Sequence, residues 1–186
     1  MAVEWVVAAG VLVGASALLW GLSAWMTRRI ETTVPINGRF VEVDGERFHY
    51  VEEGKGPPLV MIHGLMGSSR NLTYALSGQL RERFRVITLD RPGSGYSSRG
   101  AHTAADLPAQ ARQIAAFIKT LDLDKPLVLG HSLGGAIALA LALDHPHAVS
   151  GLVLVAPLTH PQRLLPLVFL SLAVRPAWLR RWVSHT

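Results

Sequence analysis

The spacing of hydrophobic positions changes three times along the chain. From Trp5 to Met26 no charged residue occurs and every helical face is apolar, unlike a surface helix, which keeps a polar side. At about 1.5 Å per residue this run predicts a helix of roughly 33 Å, enough to cross a hydrocarbon layer of about 30 Å. Through the middle of the chain, short β-rich apolar runs alternate with segments of helical periodicity. From Pro161 onward leucines and tryptophans mix with Arg163, Arg175, Arg180 and Arg181, and Pro166 and Pro176 cut the segment into short pieces.

Four stretches follow from this pattern: a membrane anchor over 1–29, a polar connector over 30–38, a core over 39–158 and a separate tail over 159–186. In the core, Phe40–Val43 and Arg47–Glu52 predict two strands joined by Asp44-Gly45, a dipeptide suited to a tight hairpin because Gly accepts positive φ. Leu59–Ile62, Arg85–Leu89, Leu127–Leu129 and Val149–Val155 predict further strands. Leu72–Arg83, Thr103–Leu121 and Leu133–Leu143 predict helices. Strands alternating with helices at this spacing define an α/β fold: a mostly parallel sheet with helices on both faces and an antiparallel hairpin at one edge. The tail suits a lid over an apolar pocket, a basic amphipathic segment lying on a bilayer, or a helix packed on its own domain; periodicity does not separate these.

Composition sharpens the picture. Apolar residues make up 49% and charged residues 17%, against about 25% charged in ordinary soluble domains. Disorder is excluded for the bulk of the chain. There is no cysteine, which excludes disulfides, a thiol nucleophile and thiolate-bound zinc. The balance of 18 basic against 13 acidic residues is spread along the chain, so no nucleic-acid partner is read from it. No His, Asp or Glu spacing such as H-E-x-x-H implies a metal, and no cofactor is implied. The apolar run lacks preceding Lys or Arg and exceeds the usual ~7–15-residue signal core, so it reads as an uncleaved anchor. Arg28 and Arg29 directly after it favour a cytoplasmic position for the core, and Trp5, Trp20 and Trp25 lie near the interfaces. Gly10 and Gly14 form a GxxxG that would permit a weak helix–helix dimer, although chance explains it in so Gly/Ala-rich a helix.

The chemistry lies in two turns. Gly130-His131-Ser132-Leu133-Gly134-Gly135 is a G-x-S-x-G between a predicted strand and a predicted helix. There a serine is held on a strained turn with its hydroxyl exposed. Gly130 and Gly134 lack the Cβ atoms that would collide across the turn. The helix N-terminus favours negative charge, and the Leu133 N–H would face a tetrahedral oxyanion. His63-Gly64-Leu65-Met66-Gly67 follows the strand Leu59–Ile62, and such a turn supplies a second donor, the Leu65 N–H. His63 reads as a structural histidine bracing its loop. His131 reads as a packing or pocket residue, since its side chain points away from that of Ser132.

These residues resemble the α/β-hydrolase superfamily. Four features occur in that family's order: the opening hairpin, His63-Gly64 after a strand, Asp90-Arg91-Pro92-Gly93-Ser94-Gly95-Tyr96-Ser97, and the Ser132 turn. They span Phe40 to Pro157, the N-terminal half of that fold. The resemblance implies Ser132 as nucleophile, Leu65 and Leu133 as backbone oxyanion donors, and Asp90–Ser97 as a structural turn near the site. It also implies a helical lid after Val155-Ala156-Pro157, so Pro161–Thr186 is expected to begin one. Met66, His131, Phe169 and Trp178 are expected to bind substrate, with Trp182 also over the cavity. The expected activity is hydrolysis of an ester, lipid or other small apolar acyl compound by a membrane-anchored enzyme. Aspartate-nucleophile relatives such as haloalkane dehalogenases are disfavoured.

The family places its triad acid and histidine after the lid, and nothing here matches either position. Asp144 is the only acid after Ser132, and a helix of about 11 residues puts it ~16 Å away. His145 and His147 share that problem, and His160 and His185 match neither place. The chain is therefore expected to be C-terminally truncated and inactive as an esterase, with Val149–Val155 as an unprotected apolar edge. Two alternatives stand beside this reading: a non-catalytic membrane protein keeping a partial hydrolase fold, and another chemistry, peroxidation or carbon–carbon hydrolysis, on the same scaffold.

Overall fold

The computed structural model describes residues 2–33, 35–100 and 103–160. The apolar run forms one long helix, α1 (Ala2–Thr33). It continues well past Met26 into the predicted connector. Its stretch Glu4–Arg29 is long and apolar enough to cross a membrane. Arg29 stacks its guanidinium over Trp25, 5.3 Å from the ring centroid, a cation–π contact. Around Gly10 and Gly14 the surface is open, with no atom within 4 Å of where a Cβ would stand.

A second unit begins at Asn37. Its strands are β1 (Arg39–Val43), β2 (Glu46–Glu53), β3 (Pro58–Ile62), β4 (Arg85–Leu89), β5 (Leu127–His131) and β6 (Gly151–Val155). They form one sheet in the order β1-β2-β4-β3-β5-β6. The four inner and later strands β4, β3, β5 and β6 run parallel, while β2 pairs antiparallel with β4 and β1 with β2. Asp44 and Gly45 both have positive φ, 50° and 79°, as a primed hairpin turn requires. The parallel strands look fully apolar in sequence because both sheet faces are covered. Their side chains divide with period two. Val60, Ile62, Ile87, Leu89 and Val128 join one cluster with Ile114, Phe117, Ile137 and Leu141. Leu59, Met61, Val86 and Leu129 join another with Leu72, Leu76 and Leu80.

Three elements differ from the sequence pattern. The helix predicted over Leu72–Arg83 starts earlier and is not uniform: α2 (Ser69–Leu72) passes through a π turn at Thr73–Ser77 into α3 (Gly78–Leu80). Leu72, Leu76 and Leu80 all pack on the sheet. A wider turn keeps residues four apart on one face, where a regular helix drifts by about 40° per step. The helix predicted from Thr103 begins instead as α4 (Leu107–Thr120), because Asp106 accepts the Ala109 N–H at 2.8 Å and a proline stands in the first turn. Asp106→Ala is expected to cost about 1 kcal/mol, measured as a lower thermal midpoint. The last strand begins at Gly151, after a 3-10 turn at Pro146–Ala148. β6 is an edge strand among the described residues, and Val153, Leu154 and Val155 are exposed.

Candidate active site

The chain passes from β3 to β4 on one side of β3, then crosses to β5 on the other. In a parallel sheet the carboxyl ends on either side of such a reversal bound a crevice where ligands bind. Both predicted turns lie there. The His63–Gly67 loop leaves β3, and Ser132 stands between β5 and helix α5 (Leu133–Asp144).

Ser132 has φ 54° and ψ −118°, a sparsely populated conformation that surrounding contacts must impose. Its N–H donates to the Val155 carbonyl at 3.0 Å. Its carbonyl accepts the Leu158 N–H at 2.9 Å and the Gly135 and Ala136 N–H groups at 3.0 and 3.3 Å. The segment after β6 thus straps the turn. Glycine is required at Gly130 and at Gly134. A Cβ on Gly130 would stand 2.5 Å from the Gly134 carbonyl oxygen, across the turn as expected. A Cβ on Gly134 would instead overlap the Ile62 carbonyl oxygen of β3 and come within 2.6 Å of the His63 oxygen. The second glycine therefore serves strand-to-helix contact rather than the turn itself, which corrects the sequence reading.

The two loops meet at Gly64, where a Cβ would lie 3.1 Å from Ser132 Cβ and 3.3 Å from His131 Nδ1. Leu65 and Met66 project outward beside it, and Met66 has φ 55°. The Leu133 N–H opens α5 and is one of the first-turn donors that a helix leaves without an internal partner. His131 is exposed, with Nδ1 facing the Gly64 loop. Phe169, Trp178 and Trp182, with the rest of Pro161–Thr186, lie outside the described residues.

His63 braces its loop, as read from the sequence. Its Nδ1–H donates to the Gly64 carbonyl at 2.8 Å, and Nε2 accepts the Arg91 N–H at 3.1 Å. Both nitrogens are committed in the neutral ring. Burial, with the Arg91 charge second, holds its pKa down at about 4, from an ordinary 6.5. The unfolded chain then takes up a proton between these values while the folded domain does not. Stability is expected to be full above about pH 6.5 and to fall toward pH 4 by on the order of 3 kcal/mol, measured by thermal unfolding across that range.

The Asp90–Ser97 turn holds the site from beneath. The Asp90 carboxylate accepts the Ser69 N–H at 2.6 Å, the Tyr96 N–H at 3.0 Å and His49 Nδ1–H at 2.8 Å. The Ser97 hydroxyl donates to the Asp90 carbonyl at 2.8 Å, and accepts the His49 N–H at 2.8 Å. Sequence reading placed this turn near the site but missed His49, Gln110 and Leu158 as supporting residues. Only Gln110 left a trace, as a polar residue on the apolar stripe of α4. Among the described residues no histidine or carboxylate is hydrogen-bonded to Ser132 Oγ, and Asp144 ends α5 at its opposite terminus. No group of metal-ligating side chains occurs among the described residues.

A parallel sheet crossed by its strand order, with a strained serine at the reversal and a glycine loop beside it, defines a hydrolase-type α/β architecture. The family profile of the alpha/beta hydrolase fold matches residues 57–185, and the chain belongs to that family. Haloalkane dehalogenase 2 of Mycobacterium tuberculosis is 36% identical over 123 residues, covering 64% of this chain and 42% of its own. A solved membrane phospholipase A, described as a bacterial virulence factor, is 30% identical with TM-score 0.63 and covers 92% of this chain and 55% of that one. Est816, described as an N-acyl homoserine lactone degrading enzyme, is 30% identical with TM-score 0.59 and covers 64% and 45%. The chain thus spans roughly half or less of the proteins it matches.

Proposed function

We propose that this protein is a membrane-anchored serine hydrolase that cleaves an ester bond to an apolar acyl group. The observation that carries this reading is Ser132, held at φ 54° between β5 and α5 with the Gly64 loop against its side chain. In the proposed reaction Ser132 Oγ bonds to the acyl carbon while its proton passes to a base. The Leu65 and Leu133 N–H groups stabilise the oxyanion, the alcohol leaves with the proton, and water then releases the acid. Among the described residues no side chain is placed to act as this base. Dehalogenation fits poorly despite the similar dehalogenase. A serine oxygen displacing halide would leave an alkyl ether with no carbonyl for water to attack, whereas a carboxylate nucleophile leaves an ester.

The anchor is α1, with Arg28 and Arg29 keeping the hydrolase domain on the cytoplasmic side. The similarity to a membrane phospholipase A, which covers 92% of this chain, supports an apolar substrate. The test of the chemistry is a fluorophosphonate probe applied to the protein in its native membranes. Mass spectrometry is expected to map the adduct to Ser132; no adduct there, while other serine hydrolases in the same sample react, rejects the reading. Carbonate extraction is expected to leave the protein in the membrane pellet, and its release into the supernatant would remove the anchor.

A further inference from the structure

We infer that Arg91 is a positioning residue that aims and strengthens the Leu65 N–H by gripping the carbonyl of the same peptide unit. This rests on the serine-hydrolase reading above only for its consequence on the reaction. The carbonyl oxygen of Gly64 receives Arg91 Nη2–H at 2.9 Å and His63 Nδ1–H at 2.8 Å, with the Gly67 N–H at 3.4 Å. The preceding carbonyl, of His63, receives Arg91 Nε–H at 3.0 Å. The third arm of the guanidinium, Nη1–H, donates to Gln110 Oε1 at 2.8 Å, and Gln110 is held in turn by the Ala105 carbonyl at 2.8 Å. Arg91 is 5% exposed, and among the described residues no carboxylate forms an ion pair with it.

A guanidinium is a rigid planar fork. Here it spends its donors on two consecutive backbone carbonyls and one amide. The peptide bond is planar and trans, so its C=O and N–H point in opposite directions. Fixing the Gly64 carbonyl toward the buried guanidinium fixes the Leu65 N–H away from it. A charged donor on the carbonyl also draws electron density through the amide, making the N–H a stronger donor. The loop needs this support because Met66, next in the chain, sits at positive φ, a conformation that a non-glycine residue leaves readily unless held. Burial pulls Arg91 down to about 10, with Arg99 adding to the effect, so it remains a cation at neutral pH.

The test uses the full chain labelled with 13C-carbonyl glycine and 15N-leucine. Only the pairs Gly21-Leu22, Gly64-Leu65 and Gly151-Leu152 then give a carbonyl–amide NMR signal. In Arg91→Met the Gly64 carbon and the Leu65 amide are expected to shift upfield while the other two pairs stay in place. Arg91→Lys, which keeps the charge without the fork, is expected to fall between. Phosphonylation of Ser132 is expected to slow by about 10- to 100-fold in Arg91→Met, less than loss of a whole oxyanion donor. A folded Arg91→Met with an unmoved Gly64-Leu65 signal overturns the proposal. If Arg91→Met does not fold, Gln110→Leu, which frees one arm of the fork, is expected to shift the same signal less, and no shift there overturns it equally. The shifts appearing in a protein whose Ser132 never reacts would sink the hydrolase reading and leave the positioning role standing.

Discussion

Gly134→Ala is expected to abolish a cooperatively folded hydrolase domain. The added methyl carbon would overlap the Ile62 carbonyl oxygen and stand 2.6 Å from that of His63. Both atoms are backbone at the end of a central strand, so no side-chain rotation relieves the clash. Moving α5 outward would break the strap through Ser132 and unpack Ile137, Ala138 and Leu141. Such overpacking exceeds the usual 1–3 kcal/mol for extra methylenes and is expected to cost about 4 kcal/mol or more, a large part of the stability of an average domain. Gly78→Ala is the matched control. Its position is helical, with φ −55°, and nothing lies within 4 Å of the new carbon, so a neutral or slightly stabilising effect is expected. Thermal unfolding of the two variants in detergent checks both; a Gly134→Ala protein melting within a few degrees of the parent would overturn this account of the turn.

Ser132→Ala is expected to eliminate probe labelling and to lower any ester turnover by about 10⁴-fold or more, with its melting temperature almost unchanged. In the proposed reaction its hydroxyl is the nucleophile, and that hydroxyl makes none of the hydrogen bonds that hold the turn, since those run through the backbone. Ser132→Gly separates strain from chemistry. At φ 54° a glycine removes the steric cost that any Cβ incurs, so this variant is expected to be inactive yet more stable by roughly 1 kcal/mol. A stabilised, inactive glycine variant would identify strain retained at the site. Equal or lower stability would show that the conformation costs nothing here.

The strained turn was readable because its determinants are local. Gly130 and Ser132 stand two residues apart, between an apolar run too short for a helix and one too long for a strand. The start of α4 was also written locally, in Asp106 followed by Pro108, although apolar periodicity alone extends the helix back to Thr103. Other features are set at least partly at long range. The early start of α2 has a local mark in Asn71 Oδ1 accepting the Ser68 N–H at 2.8 Å, and the Asp90 carboxylate accepts the Ser69 N–H across 21 residues. The grip of Arg91 on Gly64 spans 27 residues, and the His49–Asp90 pair spans 41.

By itself the sequence determined the long apolar helix, the alternation of strands and helices, the parallel sheet with its hairpin edge, and the serine between β5 and α5. Each follows from spacing, turn residues or length, which act over one or two turns of chain. Only the tertiary structure decided which carbonyl each buried donor finds. It revealed that Gly134 is required by β3, that Leu158 straps Ser132, and that the Arg91 guanidinium is directed onto the peptide carrying the Leu65 N–H. Those choices depend on the strand order, because crossing from β4 over β3 to β5 brings residues distant in sequence to one sheet edge, where buried polar groups must find partners.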